Sequence, residues 1–499
     1  MKTLLTCDRK LMAVLPVCCL LINPLVQGQQ FHNLNFGQVC DSSKTNFCYW
    51  DLSWGGKGAC TREVSGNNSY LLIEGKTENA VGFTEQTAIV SPANDIQIIK
   101  ITARISSENV SGRGAGINVG MYDKEGVLIA TKDMGGFYSV DWIKGTTGWN
   151  KYSITAICPA ETVKIKIGAI LFGKGKAKFD DYTVDITPVK KQKPGKPAVN
   201  YINAAVDTIM KHSLVRDSVN AAVLKEKALM IAGKARTYEE AHLAVEYLLE
   251  SLRAYGDHHS FLMRPKEVKN WENNSTEEAG IEFAAYKVLD DCGYIKVPPF
   301  HGGNKKLMQA YADSLQAAIA YLYNTGIKGW IIDLRQNTGG NMEPMIAGLG
   351  PVFDAEKLGS LVDVNGKEES WYYKKGDYYW ENEKGISATD PVTISHNLPI
   401  AVLISGRTGS SGEIVVLSFV GNGRTKLFGE PTWGLTTGNG DFNLPGGARM
   451  FLASTIMADR TGKKYHGPVE PDELVKPNTA GQADSVIEKA KEWIADFQK

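Results

Sequence analysis

No charge of one sign dominates this 499-residue chain: 55 lysines and arginines stand against 55 aspartates and glutamates. Without net charge there is no general attraction to phosphate backbones or anionic lipid, so nucleic acid is not an expected partner. Proline is scarce, 19 against 51 glycines, and no collagen-like period or low-complexity repeat occurs. Disordered and fibrous classes are excluded, because 43% hydrophobic and 22% charged residues suit a chain with a large buried core. Long apolar runs are also lacking beyond the first 30 positions. The one early run, Leu11 to Val26, follows Lys2, Arg9 and Lys10 and is interrupted by Pro16, Asn23 and Pro24. With Gly28 at a plausible cut, residues 1–28 read as a secretory signal peptide and not as a membrane span. Lipidation at Cys18 or Cys19 is the lesser alternative, since Val17 is large for the position before a lipidated cysteine. The mature chain is therefore expected to lack a transmembrane segment and to be periplasmic, secreted or at the cell surface.

Cysteine is sparse after this leader: Cys40, Cys48, Cys60, Cys158 and Cys292 remain. The first three cluster in one short segment, where an oxidising compartment permits a bridge. An odd count leaves at least one thiol unpaired. No Cys-x-x-Cys and no His-x-x-x-His occurs, so neither a metal nor another cofactor is expected.

At ~150 residues per domain the length implies about three domains. Residues 29–187 read as all-β. Val163, Ile165 and Ile167 alternate with Lys164 and Lys166, as half-buried strands do, and glycine-rich turns separate many such runs. Short strands at this spacing imply a β-sandwich. The segments "NLNFG", "GTTGW" and "FDDYTVDI" resemble galactose-binding-like modules of secreted enzymes. On that resemblance Trp142, Trp149 and Tyr182 either stack on a carbohydrate or close the sandwich core. Residues 188–200, "PVKKQKPGKPAVN", read as a stiff, solvated linker. The period then becomes helical over 201–265: Ile202, Ala205, Val206 and Ile209 share one face, and Val245, Leu248, Leu249 and Leu252 another. Thr237 with Glu240 forms a capping box. Helix and strand alternate over 266–499, including the apolar strands Trp330 to Leu334 and Pro399 to Ser405, so this part reads as α/β with a largely parallel sheet.

Two strand ends carry the chemistry. In "GWIIDLRQNTGGNM" a buried strand runs into Gly339-Gly340, and paired glycines let backbone N–H groups converge. In "LISGRTGSSGEIVVLSF" a small-residue turn holds Ser410 and Ser411 before a helix with Glu413 in its first turn. A serine at such an elbow lies beside the partial positive charge of a helix N-terminus, although helix capping is the commoner role.

"GWIIDLRQNTGG", "TGSSGE", "LFGEPTWG" and "GPVEPD", in that order, resemble the tail-specific, or C-terminal-processing, serine peptidase family, as does "GDHHSFL". The resemblance runs from about Asn203 to Val475 and implies a crotonase-like α/β spiral core acting on protein or peptide substrates. It implies Ser410 as nucleophile, with an oxyanion hole from the amide of Ser411 and one from Gly339 or Gly340. One branch of the family uses a Ser–Lys dyad. Here Leu435 occupies the lysine's place, and leucine takes no proton. The other branch, like the tricorn core, uses a histidine base, and His259 fills that place. The acidic third member of that branch falls at Tyr465, so Glu470, the nearest carboxylate in the motif, is the expected residue to orient His259.

Many relatives insert a PDZ domain before the catalytic core. Only Arg264 to Gly280 is available for one, so none is expected. The aromatic insertion from Phe353 to His396, with "WYYKKGDYYW", reads either as a cleft cover or as a two-stranded hairpin. The resulting expectation is an exported serine endopeptidase. The alternatives are a catalytically inactive peptidase-fold binding protein and a carbohydrate-targeted accessory protein.

Overall fold

Strand alternation builds the first unit. The computed structural model describes residues 31–40, 48–51, 59–78, 80–135, 141–273, 281–478 and 483–497; the expected signal peptide lies outside them. The strand Gln97–Tyr122 has 26 residues, far beyond the usual length. Ile99, Ile101, Ala103 and Ile105 point inward and are buried, while Lys100, Thr102 and Arg104 alternate outward. Its first half pairs with Ile143–Cys158 and Gly175–Pro188, its second half with Lys164–Phe172 and Leu128–Asp133. Register shifts between Ser107 and Ala115, with Gly112 at φ +74° and Gly114 at φ +117°, bend the strand between the two halves. A bent strand that changes sheets joins the two layers of the sandwich.

Tyr182 and Trp142 are buried in this unit, Tyr182 against Trp50 and Trp142 against Phe172. Tyr182 closes the sandwich core, as one of the two sequence readings had it, whereas Trp142 also borders the cleft that holds His259 and Ser410. Trp149 is half-buried and packs edge-on to Tyr70. Cys40 and Cys48 form a disulfide, leaving Cys60, Cys158 and Cys292 as free thiols.

The linker is shorter than its composition suggests, because the helix Lys196–His212 already starts inside it with Pro197 in the first turn. Proline suits that position: its fixed φ is helical and the missing N–H would have no partner there. Helices Ala221–Ala232 and His242–Ser251 pack against the first. Their shared core takes in Ile96 and Ile157 from the sandwich and Leu444, Met450 and Leu452 from the next unit. The helices thus join the two units through apolar packing. This helical region ends at Tyr255 rather than 265, since Phe261–Met263 is a strand paired with Arg449–Asp459 in the core.

The α/β core holds a six-stranded sheet in the order Ala285–Leu289, Cys292–Lys296, Gly329–Asp333, Ile400–Ile404, Thr425–Gly429 and Glu473–Leu474. Only the first pairing is antiparallel. Gly329–Asp333 and Ile400–Ile404 are buried along their whole length, which is why they read as continuous apolar runs. Where a PDZ domain would begin, Pro265–Asn273 is a helix.

A second, antiparallel sheet contains Lys357–Asp363, Glu368–Lys374 and Asp377–Trp380 beside Arg449–Asp459. The aromatic insertion is therefore a hairpin, with Trp371 opposite Trp380. Trp371 is fully buried, and its indole N–H donates to Ser418 Oγ at 2.9 Å. Both sequence readings of this segment hold in part, because Tyr378 and Trp380 also line the large cleft. Replacing a fully buried tryptophan leaves a cavity, so Trp371→Ala is expected to lower the stability of this core by about 3–5 kcal/mol in chemical denaturation.

Candidate active site

The two strand-end turns are stitched together before any catalytic group is placed. Thr408 Oγ1 donates to Leu334 O at 2.9 Å, Ser405 Oγ donates to Arg335 O at 2.7 Å, and Gly409 N donates to Asn337 O at 3.0 Å. Asn337 is wholly buried; its Nδ2 donates to Val297 O at 3.1 Å and its Oδ1 accepts from Gly339 N at 3.0 Å. Gly339 and Gly340 have φ of +99° and +106°. A Cβ on Gly339 would lie 2.9 Å from Ser410 Cβ, and one on Gly340 only 2.0 Å from Phe300 O. Both the sign of φ and the close approach demand glycine.

Ser410 stands immediately before the helix Ser411–Phe419 with φ +53° and ψ −121°. Such a conformation costs a non-glycine residue about 1–3 kcal/mol and persists only where surroundings enforce it. Glu413 supplies the enforcement. Its carboxylate, fully buried, accepts from Ser410 N at 2.8 Å, Thr432 Oγ1 at 2.5 Å and Gly434 N at 2.9 Å. Burial pushes the Glu413 carboxyl up to about 7, against those same donors.

His259 reaches the elbow from a loop 151 residues earlier, its Nε2 lying 2.8 Å from Ser410 Oγ. Its loop is held by Asp257, which is buried and accepts from His259 N at 3.0 Å and from Ser260 Oγ at 2.5 Å. Asn439 Nδ2 donates to His259 O at 3.0 Å. His258 is exposed beside it. The His259 imidazole sits against protein on most sides, and this burial lowers its pKa to about 4, with Asp257 opposing the change. It is neutral at pH 7.

Behind the imidazole stands a hydroxyl. His259 Nδ1 is 2.9 Å from Thr437 Oγ1. The expectation for Glu470 is corrected accordingly: that residue is exposed, and Thr437 occupies the Nδ1 side. Tyr465, at the family's acidic position, turns its hydroxyl to Asp459 Oδ2 at 2.8 Å. Nothing in the sequence marked Thr437, because a threonine in a strand has an ordinary conformational explanation.

The glycine pair also separates into two roles. The Gly339 N–H is engaged by Asn337, so it is corrected from donor to turn former. Ser411 Oγ donates to Gly340 O at 2.7 Å, which holds the Gly340 and Ser411 main chains side by side. Among the described residues no acceptor bonds either of these two amides. Around this point Trp433 and Leu435 line the cleft, Trp433 half exposed.

Residues 291–475 match the model of peptidase family S41. The nisin-resistance protein of Lactococcus lactis subsp. lactis is 28% identical over 323 residues, covering 64% of this chain and 90% of that protein. A carboxyl-terminal-processing protease of Picosynechococcus sp. is 27% identical over 200 residues, 38% of this chain and 41% of that protein. Among solved structures, a lipoprotein from Streptococcus agalactiae is 25% identical with a TM-score of 0.48, covering 60% of this chain and 97% of that one.

Two measurements check this geometry. In an NMR titration, with His259→Gln for assignment, the His259 ring is expected to stay neutral until the pH approaches about 4; a midpoint at the ordinary 6.5 contradicts the burial described. Gly339→Ala is expected to destabilise the chain by about 1–3 kcal/mol or more, read as a lower thermal midpoint, because both φ and contact oppose a side chain.

Proposed function

From the premise that residues 291–475 are a segment of peptidase family S41, we propose that the protein is an exported serine endopeptidase with Ser410 as nucleophile and His259 as base. One observation carries the reading: His259 Nε2 and Ser410 Oγ stand 2.8 Å apart across 151 residues of sequence. Hydrogen-bond reach between nucleophile and base is the geometric condition for this chemistry. With the ring proton on Nδ1 donated to Thr437, the Nε2 lone pair accepts the Ser410 proton as Oγ attacks the peptide carbonyl carbon. The carbonyl oxygen then carries the negative charge, and the amides of Gly340 and Ser411 face it. The imidazolium returns its proton to the departing amine nitrogen. Water, deprotonated by the same ring, cleaves the acyl-enzyme. Each oxyanion donor contributes ~10²–10³-fold in such sites. The basic and apolar leader and the Cys40–Cys48 disulfide support an exported enzyme.

A binding protein of peptidase fold, without turnover, has one observation in its favour: a hydroxyl, not a carboxylate, stands behind His259. An uncharged partner stabilises the imidazolium less, which accords with the lowered pKa. Covalent labelling by a fluorophosphonate separates the readings, since a binder needs no activated serine.

Ser410→Ala is expected to abolish both labelling and cleavage of an unfolded protein while leaving the circular dichroism spectrum unchanged. His259→Ala is expected to lower kcat by ~10²–10⁴-fold, and Thr437→Val by less; wild-type turnover in either serine or histidine variant removes that residue from the mechanism. The sign of the pH dependence follows from the base. His259 works only when neutral, and its pKa is lowered to about 4. Activity is therefore expected to persist as pH falls through 6 and to be lost only near 4. An acidic limb in kcat/KM at the ordinary histidine value of 6.5 contradicts this.

A further inference from the structure

The cleft holding Ser410 is not enclosed by the peptidase core alone. Its volume is about 1970 Å³, beyond the ~300–1,000 Å³ of small-molecule sites. One wall is the core, a second is the helical unit through Leu243 and Glu246, and the third is the outer face of the sandwich. In the sandwich strand Ile143–Cys158, Ile154 and Ala156 turn into their own core. Lys151, Ser153 and Thr155 are the more exposed alternate residues and line the cleft, together with Tyr152 and the edge of Ile154. Three ion pairs hold this wall in place: Lys132 Nζ donates to Glu246 Oε1 at 2.8 Å, Arg264 Nη2 donates to Asp141 Oδ2 at 2.6 Å, and Lys266 Nζ lies 3.7 Å from Asp141 Oδ1. Arg264 lies only five residues beyond His259, so the second pair fastens the sandwich beside the loop that carries the base.

We propose that the N-terminal sandwich is the outer wall of the substrate cleft, contacting an unstructured polypeptide segment on its way to Ser410, and not a detached address module. The inference rests on the peptidase reading above. A cleft of this size, walled on three sides, suits an extended chain better than a small molecule. Residues Ser153 and Thr155 then determine specificity through substrate binding, without touching the reacting atoms.

The test uses the full-length chain with Ser153→Trp and Thr155→Trp, substitutions that add bulk to the cleft side of the strand. Cleavage of β-casein, an unstructured protein, is measured beside the labelling rate of a small fluorophosphonate. Both variants are expected to raise the casein KM by about five-fold or more with labelling within about two-fold of wild type. An unchanged KM in both overturns the proposal. So does a parallel fall in casein cleavage and labelling, which is the signature of a distorted site. If the wild-type chain is not labelled at all, the Ser410 reading fails instead. The wall is then decided by casein affinity: weaker binding in the tryptophan variants on a Ser410→Ala background supports it, and equal binding overturns it.

Discussion

The 2.8 Å contact between the His259 imidazole and the Ser410 hydroxyl is the point on which the other features converge. Neither residue is placed by its own element alone. Ser410 takes a left-handed conformation that its helix would not impose, and the buried Glu413 carboxylate bonds its amide to keep it there. His259 sits in a polar loop tied down at both levels: Asp257 bonds the loop's own amides, and Ser260 Oγ accepts from Ala453 N at 2.9 Å on the core sheet. Three buried polar side chains, Asn337, Asp257 and Glu413, thus do work that a hydrophobic core cannot, because they specify direction as well as proximity.

The histidine environment has an energetic consequence. Serine peptidase triads usually place a carboxylate behind the base, where it fixes the tautomer and stabilises the imidazolium. A threonine hydroxyl orients the ring without adding charge, and it can bond Nδ1 as donor or as acceptor. Burial then dominates and the ring resists protonation. The compensation is an imidazole that stays neutral down to about pH 4. On the proposed peptidase reading, a weaker base leaves less drive for proton transfer and more of the barrier to the Gly340 and Ser411 amides.

Architecture follows from the same economy of contacts. The three-helix unit has apolar faces on two sides, and it buries one against the sandwich through Ile96 and Ile157 and the other against the core through Leu444, Met450 and Leu452. That double packing turns a chain of successive domains into one cleft. It also explains why the 188–200 segment is only briefly a linker: helix Lys196–His212 must begin early enough to reach both neighbours.

Much of this was legible in the amino-acid order. Alternation marked the sandwich strands, 3.6-residue spacing marked the helices, and the uninterrupted apolar runs at Trp330 and Ile400 marked a parallel sheet, because each signal is local and repeats along a single element. The glycine pair, the serine elbow and the Asp-His-His-Ser loop were legible for the same reason: each needs particular residues at adjacent positions. Thr437 was not, since it meets His259 across 178 residues and nothing about a strand threonine reveals what its hydroxyl faces. Glu470 was misplaced for the converse reason, as motif proximity says nothing about side-chain direction. The different duties of Gly339 and Gly340 were invisible as well, because they depend on which amide Asn337 Oδ1 happens to reach. The sandwich's place beside the cleft came from packing across domain faces, an arrangement set by shape and burial between distant segments rather than by any pattern within one.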